Sequence, residues 1–466
     1  MKIKIAKKEI IHFIGIGGIG MSGLSLIMNS QGFKVQGSDI NINKNIERLK
    51  KEKIQIFLGQ SKKNLNKATI VVVSSAIKND NPELIEAKKR NIPVIKRGEM
   101  LANLVSLMKN IVVVGSHGKT TTTSLLAAIF QETKIDPTII NGGVINAIKN
   151  TAKLGTSDWS ILEADESDGS FIHISPTYAI ITNIDREHMD FYKSMNDLKN
   201  YFSRFVNKVP SFGKSFICSD DKINNELIKS LKNKNFYTYG QKNGSNLRII
   251  NIRQNKLYSQ FDININFSNE KNQIIRNIKI PLLGIHNIRN AVGSIGVALS
   301  LGIPLKNIKR GLKNFKGVER RFNKVFTYNN VDVYDDYAHH PTEIAAVESA
   351  IRALYANKKV LVIFQPHLFS RTRDFMYEFA NVLSRFDEIL LLDIYPAREL
   401  PIVGVTSSSL LDLISNPNKK LVDKHQLRDA IVASKAEVVA MLGAGDIGVM
   451  IEKVSHELMD QKTLRW

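Results

Sequence analysis

The sequence predicts an α/β chain of three domains built mainly on parallel sheets, and three observations predict it. Short β-branched runs alternate with helix-like stretches along most of the chain. Two glycine-rich turns, Gly15–Gly20 and Gly115–Lys119, each follow such a run and open a helix pattern. At 466 residues the chain has room for about three domains of roughly 150 residues each, and a hydrophobic content of 43% supplies their cores.

Taken in order, the clearest strands fall at Ile10–Ile16, Ile70–Val73, Ile111–Val114, Trp159–Leu162, Tyr178–Thr182, Val360–Phe364, Glu388–Leu392 and Glu437–Leu442. One wound unit ends and a new phosphate-type loop begins near Leu107–Lys109; a second break falls near Phe315–Val318. The expected domains are therefore 1–107, 108–315 and 316–466. Between Tyr237 and Ile280 the pattern becomes polar with apolar residues at period two, including Leu257, Tyr258, Phe261, Ile263 and Ile265, so hairpins should decorate the middle domain. No fixed-period repeat or long low-complexity tract interrupts this.

Sixty-five Lys and Arg against 44 Asp and Glu give a formal charge of +21. That charge favours anionic partners. The lysines are spread evenly beside abundant Asn and Ile, however, and no aromatic-interleaved basic motif appears, so no nucleic-acid surface is expected. A single cysteine, Cys218, excludes an internal disulfide and a thiolate cluster and reads as a core residue. The basic N-terminus lacks a cleavage site, and no apolar run approaches the ~20 residues needed to cross a bilayer. A soluble cytoplasmic chain without membrane insertion is the expectation, as monomer or homodimer.

The first glycine motif runs Gly15-Ile16-Gly17-Gly18-Ile19-Gly20, then Met21-Ser22-Gly23, with Asp39 ending the next strand. Glycines keep the turn tight and let backbone N–H groups approach a diphosphate at a helix N-terminus, while the acid suits a ribose hydroxyl. This is a Rossmann-like signature, although a merely tight strand–helix turn has the same glycines. Gly443-Ala444-Gly445-Asp446-Ile447-Gly448 matches the same expression near the C-terminus, where too little chain remains for a following ribose-binding strand. Packing and ligand contact both stay open there.

The second motif is Gly115-Ser116-His117-Gly118-Lys119-Thr120-Thr121-Thr122-Thr123 after a buried-type strand. Backbone amides can cradle phosphate, Lys119 can neutralise β/γ charge, and Thr120 or Thr121 can hold Mg²⁺. The loop is shorter than the usual Walker A, with Val113 where the first glycine would fall, so a P-loop ATPase-type sheet of a variant family is expected. Downstream, Glu163-Ala164-Asp165-Glu166-Ser167-Asp168 packs four carboxylates that repel one another unless a cation or solvent relieves them. His188, in Asn183-Ile184-Asp185-Arg186-Glu187-His188-Met189-Asp190, is either a metal ligand at a strand end or a surface hydrogen-bonder.

The constellation resembles the Mur ligases along essentially the whole chain. Beyond the segments above, the resemblance rests on Ser74-Ser75-Ala76-Ile77, Arg97-Gly98-Glu99-Met100-Leu101, Gly284-Ile285-His286-Asn287-Ile288-Arg289-Asn290-Ala291, Arg320-Arg321-Phe322, Asp335-Asp336-Tyr337-Ala338-His339-His340-Pro341 and Phe364-Gln365-Pro366-His367. It implies a Rossmann-like N-terminal domain for a UDP-sugar, a central ATP domain and a Rossmann-like C-terminal domain that closes over both with the amino acid.

The UDP-sugar residues implied are Gly15, Gly17, Gly18, Gly20, Met21, Ser22, Ser38, Asp39, Ser74 and Ala76. For ATP they are Gly115, Ser116, His117, Gly118, Lys119, Thr120, Thr121, His286, Asn287 and Asn290, joined by Arg321 and Asp336. The metal set is Thr120, Glu163 and His188, for Mg²⁺. Tyr337, His339, His367 and Arg371 fall near the amino acid, and Lys119, Glu163, His188 and Arg371 near the chemistry. Within the family the alanine-adding branch fits best, with UDP-N-acetylmuramate, ATP and L-alanine as substrates; the absence of lysine from Tyr201–Phe205, where other branches carry a carbamylated one, agrees.

Two departures touch the amino-acid contacts: Leu368 stands where related sequences often have Arg, and Arg398 where they often have Gly. Alternatives are a ligase that recycles a preformed tripeptide onto the same UDP-sugar, a nicotinamide-dependent oxidoreductase using Gly15–Gly20 and Asp39, and a noncatalytic nucleotide switch. The separate loop at Lys119 argues against the oxidoreductase.

Overall fold

The computed structural model describes residues 8–459 apart from Ser75, Asp190, Asn233, Lys256, 268–271 and Arg398. The chain divides into two compact units, one ending at Val318 and the other starting at Glu319. The first holds two sheets, the second one.

The first sheet is all parallel, in the order Gln55–Leu58, Lys34–Asp39, Ile10–Ile14, Ile70–Val73, Val94–Lys96. Strand order reverses between Ile10–Ile14 and Ile70–Val73, and ligands of open α/β sheets sit outside the carboxyl ends at such a point. Gly15, with φ +80°, ends the first strand there, and helix Ile19–Ser30 starts from Gly18.

In the second sheet Lys109–Val114 lies between Tyr178–Ile181 and Trp159–Glu163, all parallel. Its β-branched residues are buried on both faces, as a central parallel strand requires. Leu247–Gln254, Ser259–Ile265 and Gln273–Ile280 extend one edge as an antiparallel meander. Phe261, Ile263 and Ile265 are buried there, whereas Leu257 is exposed in the preceding turn. The two sheets share one core, with Phe13 and Met21 in the same buried cluster as Val112 and Leu162.

The third sheet runs Asn323–Tyr328, Val331–Asp336, Val438–Leu442, Val360–Phe364, Glu388–Leu391, Lys419–Leu421, and is parallel except for its first pair. Among the described residues no helix is long and apolar enough to cross a membrane. The fold is the α/β class expected, with parallel-dominated sheets, a Rossmann-like first sheet and hairpins on the central one.

Candidate active site

Lys109–Val114 delivers Gly115, whose φ of +133° belongs to glycine; a Cβ there would stand 2.1 Å from Thr182 Oγ1. Gly118, at φ +81°, caps helix Lys119–Gln131, and its bare Cα admits the Asn290 amide, which a Cβ would meet at 2.6 Å. The neighbouring strand end holds the loop. Asp185 N–H donates to Ser116 Oγ at 2.8 Å, His117 N–H to Asn183 Oδ1 at 2.9 Å, and Thr182 Oγ to His117 O at 2.6 Å. His117 Nε2 stands 3.1 Å from Asp185 Oδ2. The first helical turn contains no acid, so its positive end is left for an anion.

Lys119 folds back over its own loop. Its Nζ donates to Gly115 O at 2.6 Å and Ser116 O at 3.0 Å, and lies 2.8 Å from Glu166 Oε2. Burial works against the ammonium, but Glu166, Glu163 and Asp165 outweigh it and keep the lysine protonated well above its ordinary range. Burial pushes the Glu166 carboxyl up to about 8, against the pull of Lys119, with Asp165 and Glu187 adding repulsion. The lysine keeps its proton, and burial above all, more than the repulsion of Asp165 and Glu187, holds the Glu166 carboxyl up.

His188 occupies the left-handed region at φ +57°, a strained placement for a non-glycine residue. Its backbone oxygen accepts from Phe191 and Tyr192 N–H, and the Tyr192 hydroxyl donates to Glu166 O, so one turn ties both residues together. Donor atoms of Glu166, Glu187 and His188 lie within 4.8 Å of one another. An imidazole grouped with two carboxylates is a donor set that fits a divalent cation. Glu163, the acid expected here, accepts the Gly142 N–H at 2.8 Å through one of its oxygens, and Gly143 packs against the Thr120 methyl.

Helix Ile285–Ser300 starts at Gly284, φ +85°. Asn287 donates to Leu283 O at 2.8 Å, and Asn290 reaches the phosphate loop, so two of the three residues of this helix expected at ATP bracket its first turn. His286 is held neutral: burial, then Arg289, lowers it to about 4.

At the glycine loop, Gly15 and Ile16 N–H donate to Ser38 O at 2.9 and 3.0 Å, and Gly17 N–H to Asp39 Oδ2 at 2.9 Å. Ser74 lies beside Gly15 and accepts the Ala76 N–H at 3.3 Å. The Ser38 hydroxyl is turned into the core, donating to Glu83 at 2.6 Å, and Ser22 Oγ bonds Ile19 O of its own helix, with Met21 buried beside it. These two hydroxyls serve the fold.

The second unit carries its own polar set. Arg320 and Arg321 lie over the Tyr337 ring at 5.2 and 5.4 Å, and Tyr337 meets His339 edge-on at 5.3 Å. His339 and His367 are 6.0 Å apart, His367 stacks on Tyr395, and Arg371 Nη1 is 3.5 Å from His367 Nδ1. Asp336 accepts from Phe322 N–H at 2.6 Å and Ala338 N–H at 2.7 Å. At the late glycine motif Arg320 donates to Gly443 O at 2.6 Å, and its guanidinium lies 2.4 Å from where a Gly448 Cβ would be, so these glycines admit close packing.

Three family profiles cover the chain in order: "Mur ligase family, catalytic domain" over residues 10–109, "Mur ligase middle domain" over 113–298 and "Mur ligase, glutamate ligase domain" over 320–450. The chain belongs to the Mur ligase family. Among relatives of this Mur ligase, UDP-N-acetylmuramate–L-alanine ligase of Pelagibacter ubique is 61% identical, over 97% of this chain and 99% of its own length. The protein of the same name from Aquifex aeolicus is 42% identical over 97% and 98%. Among solved structures, UDP-N-acetylmuramate-alanine ligase of Thermotoga maritima superposes with a TM-score of 0.82 at 26% identity, covering 97% of this chain and 99% of that one. A murein peptide ligase of Psychrobacter arcticus shares the fold, with a TM-score of 0.72 at 23% identity, covering 97% and 98%.

Three residues of the candidate site carry no role in the sequence reading. Glu166 and Glu187 sit in segments already singled out, but only the turn through His188 shows which acids face the lysine and the imidazole. Tyr395 gives no local signal; it reaches His367 through paired backbone bonds, Tyr395 N–H to Pro366 O at 2.8 Å and Leu368 N–H to Tyr395 O at 3.0 Å. Arg398, one of the two departures, lies outside the described residues, whereas Leu368 stands at φ +72° before helix Phe369–Asp374.

Proposed function

We propose that this chain ligates L-alanine to the lactyl carboxylate of UDP-N-acetylmuramate through an acyl phosphate, with ATP hydrolysed to ADP and phosphate, in peptidoglycan precursor synthesis in the cytoplasm. The observation that carries it is Lys119, held with its positive charge at a phosphate-type loop beside an acidic, imidazole-bearing turn, in a chain 61% identical to a ligase of that name. We assign residues 1–107 to the UDP-sugar, 108–315 to ATP and 316–466 to the amino acid and closure.

A carboxylate resists amine attack because its charge must first be removed. Its oxygen attacks the γ-phosphorus, the bond to the β-phosphate oxygen breaks, and ADP leaves. The neutral amine of alanine then attacks the acyl carbon, loses a proton, and the C–O bond to phosphate breaks. Lys119 would leave Glu166 to follow charge developing on the transferred phosphoryl group, while the loop N–H groups and helix end hold the remaining phosphates. Gly118 and Asn290 fix that loop against helix Ile285–Ser300. Thr120, Glu163 and His188 would hold Mg²⁺, as the resemblance implies, with Glu166 and Glu187 added from the geometry, and the ion would supply charge neutralisation to the phosphates. Arg321 and Asp336 are assigned to ATP from the C-terminal domain, and Tyr337, His339, His367 and Arg371 to the amino acid, Arg371 lending charge near the acyl centre.

Phosphate release with UDP-N-acetylmuramate, ATP and Mg²⁺ against each amino acid and a preformed tripeptide tests this. Alanine-dependent release is expected; release with tripeptide but not alanine would transfer the chain to the recycling reaction.

A further inference from the structure

Arg97 touches both ligand loops of the first unit. It opens helix Arg97–Val105 directly after edge strand Val94–Lys96. Its Nη2 donates to Asp165 Oδ2 at 3.0 Å, beside Glu166, the partner of Lys119. Its side chain lies flat on Gly20, in the first turn after the glycine loop, where a Cβ would stand 3.0 Å from Nη1 and 3.2 Å from Cδ. Asp165 is the one acceptor its guanidinium finds among the described residues, so Nη1 and Nε remain available on the side of the glycine loop.

The surroundings are built for close approach. Gly23 brings the helix of the glycine loop onto strand Asn150–Lys153, its Cβ position 3.2 Å from Thr151 Oγ1, and Gly98 abuts Ser170, where a Cβ would be 2.1 Å from the hydroxyl. Helix Ile19–Ser30 and the acidic loop are therefore parts of one packed body, and interiors this dense transmit small shifts. Asp165 in turn accepts the Ser167 N–H at 3.0 Å, which makes it a structural part of the turn that presents Glu166.

We infer that Arg97 is a positioning residue that couples the two sites: an anionic group seated over Gly15–Gly20 takes the remaining guanidinium N–H groups and thereby fixes Asp165 and the acidic turn at Lys119. The inference rests on the reading of Gly15–Gly20 as the diphosphate site of the UDP-sugar. A planar fork can serve two acceptors at once in a set geometry, whereas a lysine ammonium on a flexible stem cannot hold both loops. The coupling is reciprocal, so UDP-sugar raises nucleotide affinity by the factor with which nucleotide raises UDP-sugar affinity.

Calorimetric titration of the full chain tests it, with the β,γ-methylene analogue of ATP and Mg²⁺, with and without saturating UDP-N-acetylmuramate and no amino acid. The native chain should show a coupling on the order of 10-fold. In R97K and in D165N it should fall to within about twofold of unity, while each protein keeps a cooperative melt and binds both ligands. A residue that only glues the two sheets together would lower both affinities or the melting temperature and leave the ratio intact. That result, or a native chain that binds both ligands independently, overturns the coupling alone. A native chain that fails to bind UDP-N-acetylmuramate overturns it together with the reading of the glycine loop.

Discussion

Replacing Asp336 by Asn should abolish the pH dependence of this residue's contribution to stability. Asp336 ends the buried strand Val331–Asp336 and accepts two backbone N–H groups. Burial pushes its carboxyl up to about 7, against the pull of Arg321 and with Glu343 repelling. In the unfolded chain the same group titrates near its ordinary 3.8. The native state therefore holds the proton more tightly, so the folded form is favoured at low pH and loses stability as pH rises from about 4 through about 7. Each pH unit in that window is worth about 1.4 kcal/mol, so roughly 2.5 kcal/mol is lost between pH 5 and pH 8 by the native chain alone. Asparagine does not titrate. It leaves one of the two N–H donors without an oxygen, a cost of about 1–3 kcal/mol. Urea melts at pH 5 and pH 8 should show the variant clearly less stable at pH 5 and close to the native chain at pH 8. A stability gap of equal size at the two pH values would refute the reasoning.

Glu166→Gln should lower both stability and turnover. Above about pH 8, where Glu166 carries its charge, losing the carboxylate from a buried Lys119 costs about 3–5 kcal/mol, read as a fall in melting temperature, and alanine-dependent phosphate release should drop by at least about 100-fold. His188→Asn should lose activity but keep or slightly raise stability, because asparagine tolerates φ +57°; His188→Ala keeps the strain, and thermal melts of the pair should differ by up to about 1 kcal/mol in favour of Asn. Cys218 is buried, and burial pushes its thiol up to about 11, so a maleimide should label it only as fast as the chain unfolds; rapid labelling of the folded chain would contradict that placement.

Strands buried on both faces were legible residue for residue: Ile70–Val73 and Val360–Phe364 are uniform β-branched or apolar runs, and both form as read. Ile10–Ile16 overshoots because Gly15 turns to positive φ where an apolar pattern continues through Ile16. The central strand begins earlier than its apolar run, at Lys109, because the buried Asn110 amide finds Val105 O and Ser175 O, partners distant in pattern. Thr138–Ile145, an edge-side strand carrying Gly142 and Gly143, gives little β signal, yet those glycines are what admit Glu163 and Thr120. Loop glycines, the lysine and the acidic run were visible in the candidate site. Which acid meets which cation was not, since that depends on turns closed by contacts such as Tyr192 to Glu166.

The fold-back of Lys119 has a consequence for what this chain can mistake for its nucleotide. An open cup of amides with a bare ammonium attracts any small anion, from sulfate to orthophosphate. Here the ammonium is already spoken for by Glu166 and two carbonyl oxygens, and an anion that draws it away strands a buried carboxylate. Orthophosphate brings nothing to replace the lost positive charge. A polyphosphate arriving with a divalent ion does, so on the proposed reading the exchange of partners would favour the metal-nucleotide pair over its separate parts.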